Sequence, residues 1–168
     1  MAADLVVPWW AGWPPCQAAP TGTPGCIGSQ LGPDQPCFAH TDSDARAAAL
    51  GRLRDGGPLD LVPGVELTGE LLAGVLAAAP IQDGQRTLRD ADLRGVRFQG
   101  EVRFDQASFQ GQAWFDWASL QRGARFGGAS FRGGALFGGA SFKGAARFDQ
   151  ASFHGPARFD RVNGTIRR

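Results

Sequence analysis

The sequence lacks most of the features that identify a cellular location. It has no run of about 18 apolar residues, which excludes a membrane-spanning helix. Its first residues, MAADLVVPWW, lack the basic segment and the long apolar stretch of a secretory signal. Cysteine occurs only three times and none follows Cys37, which is a poor disulfide framework. We therefore expect a protein of a reducing compartment, the cytoplasm, and the ratio of 16 arginines to one lysine favours a GC-rich bacterial source.

Net charge is also nearly absent, but its distribution is uneven. The whole chain carries 17 Lys+Arg and 16 Asp+Glu residues, a net charge of +1. From Arg86 onward there are 14 basic and 7 acidic residues, a net +7, which leaves 3 basic and 9 acidic residues, a net −6, in residues 1–85. Such an asymmetry fits either a basic surface that meets an anion or two solvated faces.

A repeat of eleven residues fills most of the chain after Ala91. Large apolar residues recur there at gaps of five and six in strict alternation, and Ala or Val stands two positions before nearly all of them. Self-similarity at a fixed short period is typical of a solenoid, in which each coil packs on the next. The large apolar positions are Leu93, Phe98, Phe104, Phe109, Phe115, Leu120, Phe126, Phe131, Phe137, Phe142, Phe148, Phe153 and Phe159.

The local order small–polar–large predicts short strands separated by corners. Alternation with a period of two puts the small residue and the phenylalanine on one face and the residue between them on the other. Four sides, alternately five and six residues long, leave room for inward rings and make a coil of twenty-two residues. Residues one coil apart, such as Phe104, Phe126 and Phe148, then stack about 4.8 Å apart. The double glycines are expected to supply corners that permit positive φ: Gly127-Gly128, Gly133-Gly134 and Gly138-Gly139.

Two short helices are expected to cap this solenoid, which we take as residues 86–168. They lie in residues 41–85. The first spans 41–56, where a modest apolar stripe recurs at helical spacing. The second runs from Thr68, a suitable N-cap, to about Ala79, just before a proline.

The repeat resembles the pentapeptide repeat family, whose unit is A-(D/N)-L-x-x. The stretch ADLRG at 91–95 matches that unit, and the rest is similar to a phenylalanine-centred variant of eleven residues met in bacterial members. The resemblance implies a mainly β fold, a right-handed quadrilateral β-helix, here of about three coils. It also implies a further role, since some members mimic DNA at type II topoisomerases. Mimicry needs a strongly negative rod, and this repeat is basic.

Residues 1–40 contain the candidate cofactor site. They hold 7 of the 11 prolines, which predicts an irregular lobe. Cys16, Cys26, Cys37 and His40 follow the spacing C-x9-C-x10-C-x2-H. Three thiolates and one imidazole are a ligand set of closed tetrahedral zinc sites, and a metal would supply folding energy to a lobe that has no core. We predict a structural zinc here; the alternative interpretation is three unpaired cysteines and a histidine that precedes a helix.

Side chains between the small residue and the phenylalanine are expected to face solvent. Arg103, Arg125 and Arg147 follow one another at intervals of one coil and form one predicted column. This column would bind phosphates or carboxylates, or it is a solvated stripe that its Asp neighbours neutralise. Trp114 and Trp117 form a candidate aromatic contact patch, with a crowded corner as the alternative.

Catalysis finds little support in the sequence. The serines of the repeat have no base at a fixed offset, and the double glycines are corners, not a phosphate loop that follows a strand. We therefore expect no catalytic residue and no small-molecule substrate. The leading hypothesis is a non-enzymatic solenoid scaffold that presents a rigid surface to another macromolecule, in the first place a protein. Nucleic-acid binding through the arginine column and the zinc lobe is one alternative, and DNA mimicry at a type II topoisomerase is the other.

Overall fold

The computed structural model describes residues 43–60 and 66–167, and within these ranges the chain consists of two helices and many short strands. Helix α1 spans Ser43–Arg54 and helix α2 spans Gly69–Ala78. The strands are β1 Leu59–Asp60, β2 Glu66–Leu67, β3 Ile81–Gln82, β4 Gln85–Leu88, β5 Ala91–Asp92, β6 Arg97–Phe98, β7 Val102–Arg103, β8 Ser108–Phe109, β9 Ala113–Trp114, β10 Ser119–Leu120, β11 Ala124–Arg125, β12 Ser130–Phe131, β13 Ala135–Leu136, β14 Ser141–Arg147, β15 Ser152–Phe153, β16 Ala157–Arg158 and β17 Asn163–Arg167.

These strands form the four faces of a β-solenoid. The tryptophan face consists of β1, β5, β9, β13 and β16, and its outward residues include Trp114. The arginine face consists of β7, β11 and the end of β14, with Arg103, Arg125 and Arg147 outward. The two remaining faces carry serine: β2, β6, β10 and the start of β14 on one side, and β4, β8, β12 and β15 on the other. Strand β3 pairs antiparallel with β4 at the edge of the second serine face.

The register of the parallel strands confirms the predicted coil of twenty-two residues. Phe131 pairs with Phe109 on one side and with Phe153 on the other. The solenoid makes about four turns, not the three expected from the repeat. It is longer because β1 and β2, which precede the repeat, pair with β5 and β6 and add a rung to two faces.

The phenylalanine rings fill the interior as stacked columns. The ring of Phe126 is fully buried, with its centroid 5.5 Å from that of Phe104 and 4.7 Å from that of Phe148, in nearly parallel planes. Rings of neighbouring columns meet edge to face, as do Phe126 and Phe137 at 5.7 Å and 86°. Both geometries are favourable for aromatic pairs. Since burying one ring contributes roughly 2–3 kcal/mol, the columns stabilise the coils along the whole repeat.

The two gap lengths correspond to two kinds of corner. Each five-residue gap contains one residue with positive φ, and these residues recur at every eleventh position: Gly95, Gln106, Trp117, Gly128, Gly139, Gln150 and Arg161. The six-residue gaps of the described coils use glycine for another reason, close approach between coils. A Cβ on Gly133 would collide with the backbone carbonyl of Gly111, one coil earlier. Of the three glycine pairs of the repeat, two contain a residue with positive φ, Gly128 and Gly139, whereas neither residue of Gly133-Gly134 has it.

Helix α2 covers the first coil. The Thr68 hydroxyl accepts a hydrogen bond from the Leu71 N–H at 3.2 Å, which caps the helix as predicted. Leu72 and Val75 are buried against the core of the solenoid. Helix α1 packs against α2 and buries Leu53. In the described part of the chain, neither helix has the length or the apolar run needed to cross a bilayer.

Candidate interaction surface

The arginine face presents one column of guanidinium groups. The register pairs Arg125 with Arg103 and with Arg147, so the three predicted residues lie side by side. Strand β17 adds Arg167 beside Arg147. Sequence analysis missed Arg167 because no phenylalanine follows Phe159 to mark the register of the last residues.

Carboxylates accompany the three arginines of this column. Arg103 donates to Glu101 at 2.6 Å, and this bond lowers the pKa of Glu101 and raises that of Arg103. Arg125 lies 3.7 Å from Asp105 and 4.0 Å from Glu101. The third pair, between the side chains of residues 147 and 149, has an N–O distance of 3.0 Å. A phosphate that binds this face therefore competes with acidic side chains already in place.

Several corner side chains also bind the backbone of the next coil. Asp105 Oδ1 accepts a hydrogen bond from the N–H of Gly127 at 3.1 Å, and Asp116 Oδ1 accepts one from Gly138 at 3.0 Å. A Cβ at either glycine would be within 3 Å of the carboxylate oxygen. Aspartate and glycine therefore alternate between successive coils because the glycine leaves room for the carboxylate. The alternation can be read from the sequence, but its steric cause is visible only in the structure.

The tryptophan face differs from the arginine face in that its outward column contains residues of several types. Its outward column runs from Asp92 through Trp114 and Leu136 to Arg158. The Trp114 ring is half-buried beneath the Arg94 guanidinium, whose carbon lies 5.4 Å from the ring centroid. Sequence analysis did not find this cation–π contact, because the two residues come from adjacent coils and no repeat position links them.

Trp117 occupies the corner beside this column. Its φ is +60°, the residue is 55% exposed, and a Cβ on Gly139 would lie 2.7 Å from its ring. The ring therefore lies over a glycine of the next coil, while more than half of the residue remains exposed. Of the two predicted tryptophans, Trp114 is held by an arginine of its own chain and Trp117 is available.

Asp116 lies between Trp114 and Trp117 in the sequence. Burial raises the pKa of its carboxyl above the usual 3.8, and the hydrogen bond from Gly138 opposes that shift only in part. The carboxylate is thus partly desolvated, and the positive charges of Arg158 and Arg94 also oppose the rise in its pKa. This is the one described carboxyl on the tryptophan face for which we find such a shift, and sequence reasoning did not single it out.

Comparison with known families agrees with the coil geometry. The family profile described as "Pentapeptide repeats (9 copies)" matches residues 87–127 and 118–163. The solenoid belongs to the pentapeptide repeat family. No curated protein and no solved structure matched the chain. The family therefore explains the repeat and its fold, and the match identifies no partner.

The predicted zinc ligands Cys16, Cys26, Cys37 and His40 lie outside the described residues. Among residues 43–60 and 66–167, no group of three or more His, Cys, Asp or Glu side chains is arranged to hold a metal ion.

Serines of the pentapeptide repeat take part in local hydrogen bonds. The hydroxyl oxygen of Ser108, for example, accepts from the Gln110 amide at 2.8 Å.

Proposed function

We propose that this chain is a non-enzymatic scaffold whose solenoid presents a fixed surface to another protein. The observation that carries the proposal is the exposure of Trp117, at 55%, between the fully buried Phe115 and Ala118. The backbone on both sides is anchored in the core, so the indole is held out at low entropic cost. Large exposed aromatic side chains are typical of contact surfaces, where tryptophan is enriched among the residues that contribute most to binding.

The surroundings of Trp117 favour a protein partner. Together with Trp114 and Leu136 it forms what we call the tryptophan patch. Ion pairs lie at both ends of this patch: Arg94 with Asp92, and Arg158 with Asp160 at 3.2 Å. An apolar centre with a charged rim is the usual arrangement of a protein–protein interface.

The patch is tested by affinity capture with matched variants. Immobilised native protein and a Trp114→Ala, Trp117→Ala variant are exposed to the same extract, with Ser141→Ala as a surface control on a serine face. We expect a protein that the native chain and the control retain and that the double variant loses. Equal recovery by all three would contradict a role for the tryptophan patch.

A nucleic-acid partner is less well supported. The arginine face has three cations paired to Glu101, Asp105 and Asp149 within 4.0 Å, so phosphate binding has to displace existing ion pairs. If the captured species were DNA or RNA, its binding would weaken steeply as salt rises, because phosphate contacts release counterions. DNA mimicry lacks its main requirement, a strongly negative rod, because the repeat from Arg86 onward carries a net charge of +7. Inhibition of gyrase supercoiling by the purified protein would support mimicry against our proposal.

We further propose a structural zinc held by Cys16, Cys26, Cys37 and His40. The chemistry of the donor set supports it, and so does the shortage of other means to order a proline-rich lobe. Reduced thiolates also agree with a cytoplasmic location. Elemental analysis of protein purified without chelator should find one zinc per chain, and Cys37→Ser should lose it while the solenoid unfolds at the same temperature. Unchanged zinc content in that variant would contradict the ligand assignment.

A further inference from the structure

A groove of about 480 Å³ lies between helix α2 and the coil that it covers. The helix contributes apolar side chains to it, of which Ala73 is exposed and Leu76 is half-buried. This volume is within the range of small-ligand pockets, which is about 300–1,000 Å³. The residues that matter for the argument are Leu72, Ala73, Leu76, Arg86, Glu101 and Arg103.

Two arginines and Glu101 line this largely apolar groove, and hydrogen bonds hold both arginines in place. Arg86 donates from Nη1 to the backbone carbonyl of Ala77 at 2.9 Å and to that of Ala79 at 3.3 Å. Arg103 is held by its hydrogen bonds to Glu101. Two positioned guanidinium groups beside small apolar side chains form a site that suits an aromatic ring, because tryptophan is the best partner for a cation–π contact.

We propose that the tryptophan cluster at residues 9–13, WWAGW, of the same chain occupies this groove. The cluster contains three of the five tryptophans of the protein. Residues 1–42 contain three aspartates, Asp4, Asp34 and Asp42, and neither lysine nor arginine. The segment is therefore acidic as well as aromatic, which complements a groove whose charged side chains, Arg86, Arg103 and Glu101, carry a net charge of +1.

The position of this segment in the chain makes the contact feasible. It joins the described part at Ser43, the first residue of α1, and α1 packs against α2. Twenty-nine residues, 14–42, separate Trp13 from Ser43. At about 3.3 Å per extended residue they span up to roughly 95 Å, whereas the ten residues of α2 extend over about 15 Å. An aromatic side chain buries about 150–250 Å², so the groove offers the cluster a large gain in burial.

This inference goes beyond the scaffold function and does not depend on it. The groove lies beside α2, whereas the tryptophan patch belongs to the tryptophan face. It is also separate from the zinc proposal, because the cluster precedes the first proposed ligand, Cys16. Occupation of the groove would complete the N-terminal cap of the solenoid and cover part of the Arg103 side of the arginine face.

Tryptophan fluorescence of the full-length protein tests the contact. A Trp114→Phe, Trp117→Phe background leaves only the three tryptophans of the cluster as emitters. In this background we expect emission at short wavelength and protection from acrylamide. Adding Ala73→Arg fills the groove with a long charged side chain, so emission should move to the wavelength of the denatured protein and protection should be lost. Gly74→Arg, the neighbouring exposed position of α2 with open space around it, is the matched control and should change neither.

Three outcomes would overturn the proposal. Emission of the background protein at the denatured wavelength would show that the cluster is solvated. Identical spectra for Ala73→Arg and the background would place the cluster elsewhere. Protection that disappears on dilution, together with a halved molecular mass in light scattering, would assign the groove to the cluster of a second copy.

Discussion

Two coils of nearly the same sequence have very different environments. In the interior coil, residues 123–144, the rings of Phe126 and Phe137 are fully buried. In the terminal coil, residues 145–167, the equivalent Phe159 is only half-buried, and Ala157 is exposed where Ala135 is not. The interior coil has a neighbour on both sides, whereas Ala157 and Phe159 have a coil on one side only among the described residues. Strand β17 covers just the start of the terminal coil, where Phe148 is buried. Burial of a repeat residue is therefore set by the adjacent coils as much as by the repeat itself.

The largest expected effect is the loss of a ring from the interior coil. Phe126→Ala removes a side chain stacked between Phe104 and Phe148 and should destabilise the protein by roughly 3–5 kcal/mol. Its neighbour Arg125 points outward, so Arg125→Ala should change stability by no more than about 0.5 kcal/mol. Urea denaturation measures both. Similar losses for the two variants would contradict the inward column.

The next effect tests the close approach of successive coils. Gly133→Ala places a methyl group against the carbonyl of Gly111 and should destabilise by about 1–3 kcal/mol, as overpacking does. The same substitution at Gly74, inside α2 and with open space around it, should stabilise by about 0.5–1 kcal/mol. Thermal unfolding of the two variants should therefore shift in opposite directions. A shift of the same sign in both would remove the steric explanation of the six-residue corner.

A smaller loss is expected when the same ring is removed from the terminal coil. Phe159 stacks on Phe137 at 5.0 Å but has no ring on its other side among the described residues. Part of its surface already meets solvent, so Phe159→Ala should destabilise by only about 1–2 kcal/mol. Comparison of its denaturation midpoint with that of Phe126→Ala measures the difference between the two coils. Equal losses of unfolding free energy for the two variants would contradict the claim that adjacent coils determine how much a ring stabilises the protein.

The smallest effect concerns Asp116, which links its coil to the interior coil through Gly138. Burial raises the pKa of this carboxyl in the folded state, so folding favours the protonated form. Its contribution to stability is therefore present at low pH and declines as pH rises from 3.8 through the folded pKa. Asp116→Asn keeps an acceptor for the Gly138 N–H and does not titrate. We expect the variant to gain stability relative to the native protein as pH increases, in urea denaturation at a series of pH values; a gain that grows towards low pH would contradict the sign.

The sequence predicted the interior of the solenoid well because the signal there is periodic. A gap pattern of five and six requires that Phe104, Phe126 and Phe148 share one column, and the same register sets the outward column of Arg103 and Arg125. Helix α2 was also predictable, since Thr68 and Pro80 mark its two ends.

Features without a period were not predictable. Strands β1 and β2 are two residues long and carry no repeat, so only their pairing with β5 and β6 reveals that they extend the solenoid. The close approach at Gly133 and the contact of Arg94 with Trp114 depend on neighbouring coils in three dimensions. The repeat pattern predicts which residues stack on one another, but not how closely the backbones of adjacent coils approach at those positions.

The central claim is that phenylalanine rings separated by one coil are stacked along a common axis inside the solenoid. Nuclear Overhauser effects between phenylalanine rings, measured on protein with selectively labelled phenylalanine and assigned by single substitutions, test it directly. We predict ring-to-ring contacts from Phe126 to both Phe104 and Phe148, which lie one coil away on either side. Absence of these contacts, or contacts that follow a spacing other than twenty-two, would contradict the account.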